Sequence, residues 1–104
     1  MRAQRPGESA LLLLDAIETL TRAGVSYAVV GAMAASVHGV VRASMDADAI
    51  LAITSRDLGE LERRFREDGF TTELRYGDEA DPIAAVLAIT DEHSNRVDFI
   101  VGWP

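Results

Sequence analysis

Between Arg42 and Ile53 the chain reads RASMDADAILAI, and the alternation inside that stretch leaves few structural options. Asp46 and Asp48 alternate with Met45, Ala47 and Ala49, so a strand here puts both carboxylates on one face and the apolar side chains on the other. Such a strand needs a sheet with one covered and one open face, because burying unpaired acids costs more than a small domain can offset. Two neighbouring carboxylates repel, and one is driven toward its neutral form unless a cation shares them. A divalent metal such as Mg²⁺, which takes oxygen ligands from one or two carboxylates, answers that need. Taken alone, Asp-x-Asp fits a solvated strand face equally well.

The remaining pattern supplies the covered face. Ala10, Leu13, Leu14, Ile17 and Leu20 recur at helical spacing after Pro6, Gly7 and Ser9, and Gly24 stops this first helix. The segment VSYAVVGA is a strand running into a turn at Gly31, and AMAASVH is a short helix ending at Gly39. The acid-bearing strand spans about 44–53 and closes at TSRD, where Thr54 or Ser55 caps a third helix with Leu58, Leu61 and Phe65 as its buried stripe and Gly69 as its stop. FTTELRY alternates as a strand, and PIAAVLAIT and RVDFIVG form a hairpin around the loop from Asp91 to Asn95. This order predicts an α+β fold, a mixed β-sheet with helices packed on one face, and the other face left for chemistry.

Composition narrows the chemistry. The chain has 104 residues and is 48% hydrophobic, which suits a single domain over 1–104. It holds no cysteine, so disulfides and thiolate-bound zinc are excluded, and a cytoplasmic protein is the default expectation. The first apolar run, from Ala10 to Leu14, is cut by Asp15 and Glu18, so it reads as a helix and not an export signal, and no stretch is long enough to span a bilayer. A net charge of −7 argues against a broad footprint on duplex nucleic acid. All ten basic residues are arginines, which excludes Schiff-base chemistry and a phosphate-loop lysine and leaves phosphate contacts to Arg or backbone N–H groups.

Two further features join the acid pair. Asp98 interrupts the last apolar strand between Val97 and Phe99, so a third carboxylate faces the open side and would complete a two-metal site of the kind used in phosphoryl or nucleotidyl transfer. Upstream, the glycine turn at Gly31-Ala32 feeds a helix N-terminus, whose backbone N–H groups suit phosphate. Arg42 is the one basic residue between that turn and the acids, which makes it the candidate triphosphate contact. His38 reads as a helix-end packing residue and His93 as an exposed loop residue. The run Glu60, Glu62, Arg63, Arg64, Arg66 reads as the wet face of the third helix.

Together these residues resemble a known signature. The span VVGAMAASVHGVVRASMDADAILAI is similar to that of the nucleotidyltransferase superfamily that includes DNA polymerase β, and particularly to its small prokaryotic toxin–antitoxin and abortive-infection members. Those carry a hydrophobic strand, a Gly-Gly or Gly-Ser pair, a short helix often ending in His-Gly, then Arg, a small hydroxyl residue and Asp-x-Asp. The matching positions are Gly31-Ala32, His38-Gly39, Arg42, Ser44, Asp46 and Asp48, with Asp98 as the family's later acid. Ala32 departs from the usual pair, and Met45 stands where relatives often have a basic residue.

The resemblance implies an enzyme that moves a nucleoside monophosphate from an NTP to a hydroxyl acceptor on RNA, protein or a small molecule. It implies Asp46 and Asp48 as ligands of two Mg²⁺ ions and Asp98 as a ligand of the catalytic metal that also activates the acceptor. Gly31, Ala32, Arg42 and Ser44 then form the nucleotide subsite. Relatives usually continue into helices after the Asp98 strand, whereas here GWP follows it directly, so a unit without a C-terminal helical extension is expected. Trp103 is then expected to pack on a second copy or a helical partner. Ala32 and that short end also fit an alternative, a weakly active or inactive antitoxin-like subunit that grips a helical toxin.

Overall fold

The structure, a computed structural model, describes residues 2–30, 47–78, 80 and 82–102. The elements in chain order are helix α1 (Ser9–Arg22), strands β1 (Tyr27–Val30) and β2 (Ala47–Leu51), a 3-10 turn (Ser55–Asp57), helix α2 (Leu58–Glu67), and strands β3 (Thr71–Tyr76), β4 (Ile83–Thr90) and β5 (Arg96–Gly102). The expected short helix near 32–38 lies outside the described residues.

Both described helices end the same way. Gly24 and Gly69 take φ of 72° and 95°, the left-handed region that glycine enters without a Cβ penalty. The N–H of the next residue then reaches back to close the last turn, Val25 to the Leu20 carbonyl and Phe70 to the Phe65 carbonyl, both at 3.0 Å. The chain therefore leaves each helix directly toward a strand of the same layer. At the start of α2 neither expected cap donates or accepts to cap the helix through its side chain. Instead Thr54 opens the 3-10 turn, its carbonyl accepting the Asp57 N–H at 3.1 Å.

The described strands form one mixed sheet in the order β1-β2-β5-β4-β3. All neighbours are antiparallel except β2 and the central strand, β5, which run parallel. Alternate residues of these strands face the helices: Ala47, Ala49 and Leu51 from β2, Val97, Phe99 and Val101 from β5, and Leu87 and Ile89 from β4, all buried. Phe65 of α2 stacks on Phe99 with ring centroids 5.5 Å apart and meets Phe70 edge-on at 5.4 Å. Leu12, Leu13, Ala16 and Leu20 of α1 complete the core.

The stripe of α1 differs from the one its sequence predicts. Ser9, Leu12, Leu13, Ala16, Thr19 and Leu20 are buried, whereas Ala10 is exposed and Leu14 is 47% exposed. The run Leu11 to Leu14 is apolar on every side, so periodicity cannot fix its rotation. Tertiary polar contacts fix it instead. The Thr19 hydroxyl donates to Asp68, Ser9 Oγ accepts from β5, and on the solvent side Arg2 pairs with Asp15 and Glu18.

A polar knot ties the N-terminal segment to the turn before β5. Asn95 is buried, and its amide is fully used: Nδ2 donates to the Arg5 carbonyl and to Asp91 Oδ2, both at 2.9 Å, and Oδ1 accepts the Glu8 N–H at 2.8 Å. Asp91 Oδ1 accepts the backbone N–H groups of His93 and Asn95. His93 is half-buried in this turn, not simply exposed. Burial pushes the Asp91 carboxyl up, but the Asn95 side chain and the two backbone donors outweigh it and hold the group below its ordinary value.

Replacing Asn95 by Ala removes the side-chain partner of the Glu8 N–H, the Arg5 carbonyl and Asp91 Oδ2 and is expected to cost about 2–3 kcal/mol, roughly a 10 °C fall in melting temperature. Because the Asp91 carboxyl is depressed on folding, its contribution is complete above the ordinary carboxylate value of about 3.9 and is lost as the pH falls below it. Denaturant titrations from neutral pH into acid should therefore show a steeper acid decline for wild type than for Asp91→Ala. Ala49→Asp, which puts a charge in the core beside Phe99, should cost about 3–5 kcal/mol, whereas Ile50→Thr on the other face should stay within about 0.5–1 kcal/mol.

Candidate active site

The parallel register of β2 and β5 pairs Ala47 with Val97, Asp48 with Asp98, Ala49 with Phe99 and Ile50 with Ile100. Since Ala49 and Phe99 point into the core, Asp48 and Asp98 stand side by side on the opposite face, on two adjacent strands inside the sheet. Neighbouring strands are about 4.8 Å apart, so the two carboxylates are within mutual electrostatic reach. Apolar side chains border them on the same face: Val30 on β1 pairs with Asp48, and Ile50, at 46% exposure, and Ile100 form the next row. The acids are thus set in a half-apolar surface that strengthens electrostatic interactions compared with open water.

A cation already contributes to this arrangement. Arg96 lies two residues before Asp98 on β5, and its Nε donates to Asp98 Oδ1 at 2.8 Å. Sequence reading missed Arg96 although the signal was present, since residues two apart on a strand share a face. Its backbone is fixed as well: the Arg96 N–H donates to Ser9 Oγ at 3.0 Å, so the start of α1 sets where β5 begins.

Of the residues singled out from sequence, Asp48 and Asp98 are brought together. Asp46, Gly31, Ala32, His38, Arg42, Ser44, Met45 and Trp103 lie outside the described residues. Among the described residues no group of three or more His, Cys, Asp or Glu side chains could hold a metal ion. The two aspartates do fit a hard divalent cation in kind: they are oxygen donors, partly exposed, and adjacent in register. A cleft of about 370 Å³ opens beyond the β4–β5 turn, lined by Thr71, Thr90, Asp91 and His93 among others, and contains neither aspartate.

The arginines of α2 behave as a solvated face. Arg63 pairs with Glu60 and Glu67, and Arg66 with Glu62 at 3.2 Å, so these charges are satisfied within the helix. Among the described residues no helix is long and apolar enough to cross a membrane.

No protein-family model and no curated protein sequence matches the chain. A solved structure does: that of the Cid1 poly(U) polymerase superposes with a TM-score of 0.64 at 12% sequence identity. The match covers 91% of this chain and 30% of that one, so the chain spans under a third of the length of the protein it resembles. At this identity the likeness speaks to architecture alone: with the observed topology it shows an α+β fold shared with part of that polymerase, a mixed sheet with the described helices on one face.

Proposed function

We propose that this chain is a Mg²⁺-dependent nucleotidyltransferase domain that transfers a nucleoside monophosphate from an NTP to a hydroxyl acceptor. The observation that carries the reading is the in-register pair Asp48 and Asp98 on the open face of a sheet whose fold is shared with a nucleotide-polymerising enzyme. In this reading Asp46, Asp48 and Asp98 hold the metal. When bound there, Mg²⁺ would supply positive charge against the phosphate oxygens and against the charge that develops during transfer.

The chain's own residues do the rest. Asp98 accepts the proton of the acceptor hydroxyl as that oxygen bonds the α-phosphorus and the α–β phosphoanhydride breaks, with pyrophosphate as the leaving group. The backbone N–H groups at Gly31 and Ala32, with the Ser44 hydroxyl, receive the triphosphate, and Arg42 balances its charge. Val30, Ile50 and Ile100 give the acids an apolar border on the open face, which makes their surroundings less polar than open water.

A second reading, a weakly active or inactive antitoxin-like subunit that binds a helical toxin, is favoured by Ala32, which keeps the N–H of the usual Gly-Gly or Gly-Ser pair but lacks the freedom of glycine and the serine hydroxyl. RNA ends, protein side chains and small molecules are the acceptor classes to be offered, and a helical toxin or a second copy is the partner to be sought.

Thermal melts with Mg²⁺ and each NTP, followed by transfer assays with labelled nucleotides, test the proposal. Wild type should melt higher with metal and nucleotide together than with either alone. Asp48→Asn and Asp98→Asn should abolish that shift and lower transfer about a hundredfold to a thousandfold, the equivalent of several kcal/mol of charge stabilisation. Arg42→Ala should weaken NTP binding more than Arg63→Ala, as read by calorimetry. A nucleotide-dependent shift with no transfer to any acceptor would favour the binding subunit, and no shift at all would sink the enzyme reading.

A further inference from the structure

Arg96 and Asp98 make a sheltered ion pair, with side chains 32% and 22% exposed. The pair is also built on fixed backbone, since both residues belong to β5 and Ser9, buried at the start of α1, holds the Arg96 N–H. It therefore avoids most of the ordering cost that makes exposed pairs nearly worthless. We propose that Arg96 is the internal counter-ion of the Asp48 and Asp98 couple, occupying the acids while no metal is bound and opposing the entry of a free divalent cation. The inference rests on the reading of these aspartates as metal ligands and adds to it a residue that controls when they load.

Two effects of the guanidinium oppose each other. By bonding Oδ1 it orders the Asp98 carboxylate, which favours any later ligand of Oδ2. It also sets a full positive charge within a few ångströms of the place a metal would take. The ordering gain is confined to the few rotatable bonds of one short side chain. The repulsion is doubled for a divalent ion and is weakly screened at a half-buried site, so it outweighs the ordering. A metal ion that arrives with a nucleotide meets a lower barrier, because the phosphates offer the guanidinium an anionic partner in place of Asp98.

Mn²⁺ binding to the full chain without nucleotide, measured by calorimetry and electron paramagnetic resonance, tests this. Arg96→Gln and Arg96→Met, which remove the charge, should bind Mn²⁺ about tenfold more tightly than wild type, a difference of about 1.4 kcal/mol. Arg96→Lys keeps the charge without the planar fork and should stay within about twofold of wild type. Using two neutral variants guards against a folding defect in either, and against Gln itself acting as a ligand. Equal or weaker binding in both neutral variants, or Arg96→Lys tracking them, overturns the counter-ion role while leaving the aspartates as ligands. If Asp98→Asn leaves wild-type affinity unchanged, or if no form binds Mn²⁺, the metal-ligand reading falls and the role of Arg96 falls with it.

Discussion

The parallel pairing of β2 with β5 is the constraint on which the rest of this molecule depends. One register decides both faces of the sheet at once. With Ala49 opposite Phe99, the core receives a small residue beside a large one, and Phe65 of α2 has room to stack on the Phe99 ring. With Asp48 opposite Asp98, the other face receives two carboxylates. A slip of one residue would drive an aspartate into the core against Phe65 and turn Phe99 to water, at a cost comparable to the whole stability of a small domain. The packing under the sheet is therefore the force that holds the acids together above it, against their own repulsion.

The position of β5 is in turn set from the N-terminal end. Glu8, Ser9 and the Arg5 carbonyl reach the turn between β4 and β5 through Asn95 and Arg96, joining residues almost ninety positions apart in sequence. Since the Asn95 amide uses its donors and its acceptor at once, the turn has one satisfied arrangement, with Ser94 in the left-handed region at φ 66°. Arg96 leaves that turn already oriented along the open face. A knot that looks structural thus reaches the acid pair along a few residues of β5.

Much of this was legible in the sequence, and the failures have identifiable causes. The alternation around Asp48 and Asp98 survives because a strand has a period of two and each acid is flanked by apolar residues. Gly24 and Gly69 were legible as stops because each takes the positive φ the closing turn requires. The stripe of α1 was misplaced because a continuous apolar run carries no phase, and polar partners from distant segments chose it. The importance of Asn95 was invisible, as a buried amide between two chain segments has no local pattern. Arg96 was readable by the same period that revealed Asp98, but a lone arginine at a strand start carries meaning only once its carboxylate partner is known.

The balance of charge limits how a nucleotide can be recognised. Eight of the ten arginines, at positions 2, 5, 22, 63, 64, 66, 75 and 96, are paired with carboxylates. The chain also carries a net charge of −7, so its surface offers a polyanionic nucleotide no long-range attraction. Under the proposed function, recognition must then be local: the positive charge that meets the phosphates comes from the metal on the aspartates and from the few guanidiniums beside them. Arg96 is the described guanidinium bonded to that acid pair, and while it is bound to Asp98 its charge is turned inward. Two carboxylates outnumber this one guanidinium, so a bound divalent ion would remove the excess negative charge and free Arg96 to face the phosphates, which makes nucleotide affinity depend on metal far more steeply than on ionic strength.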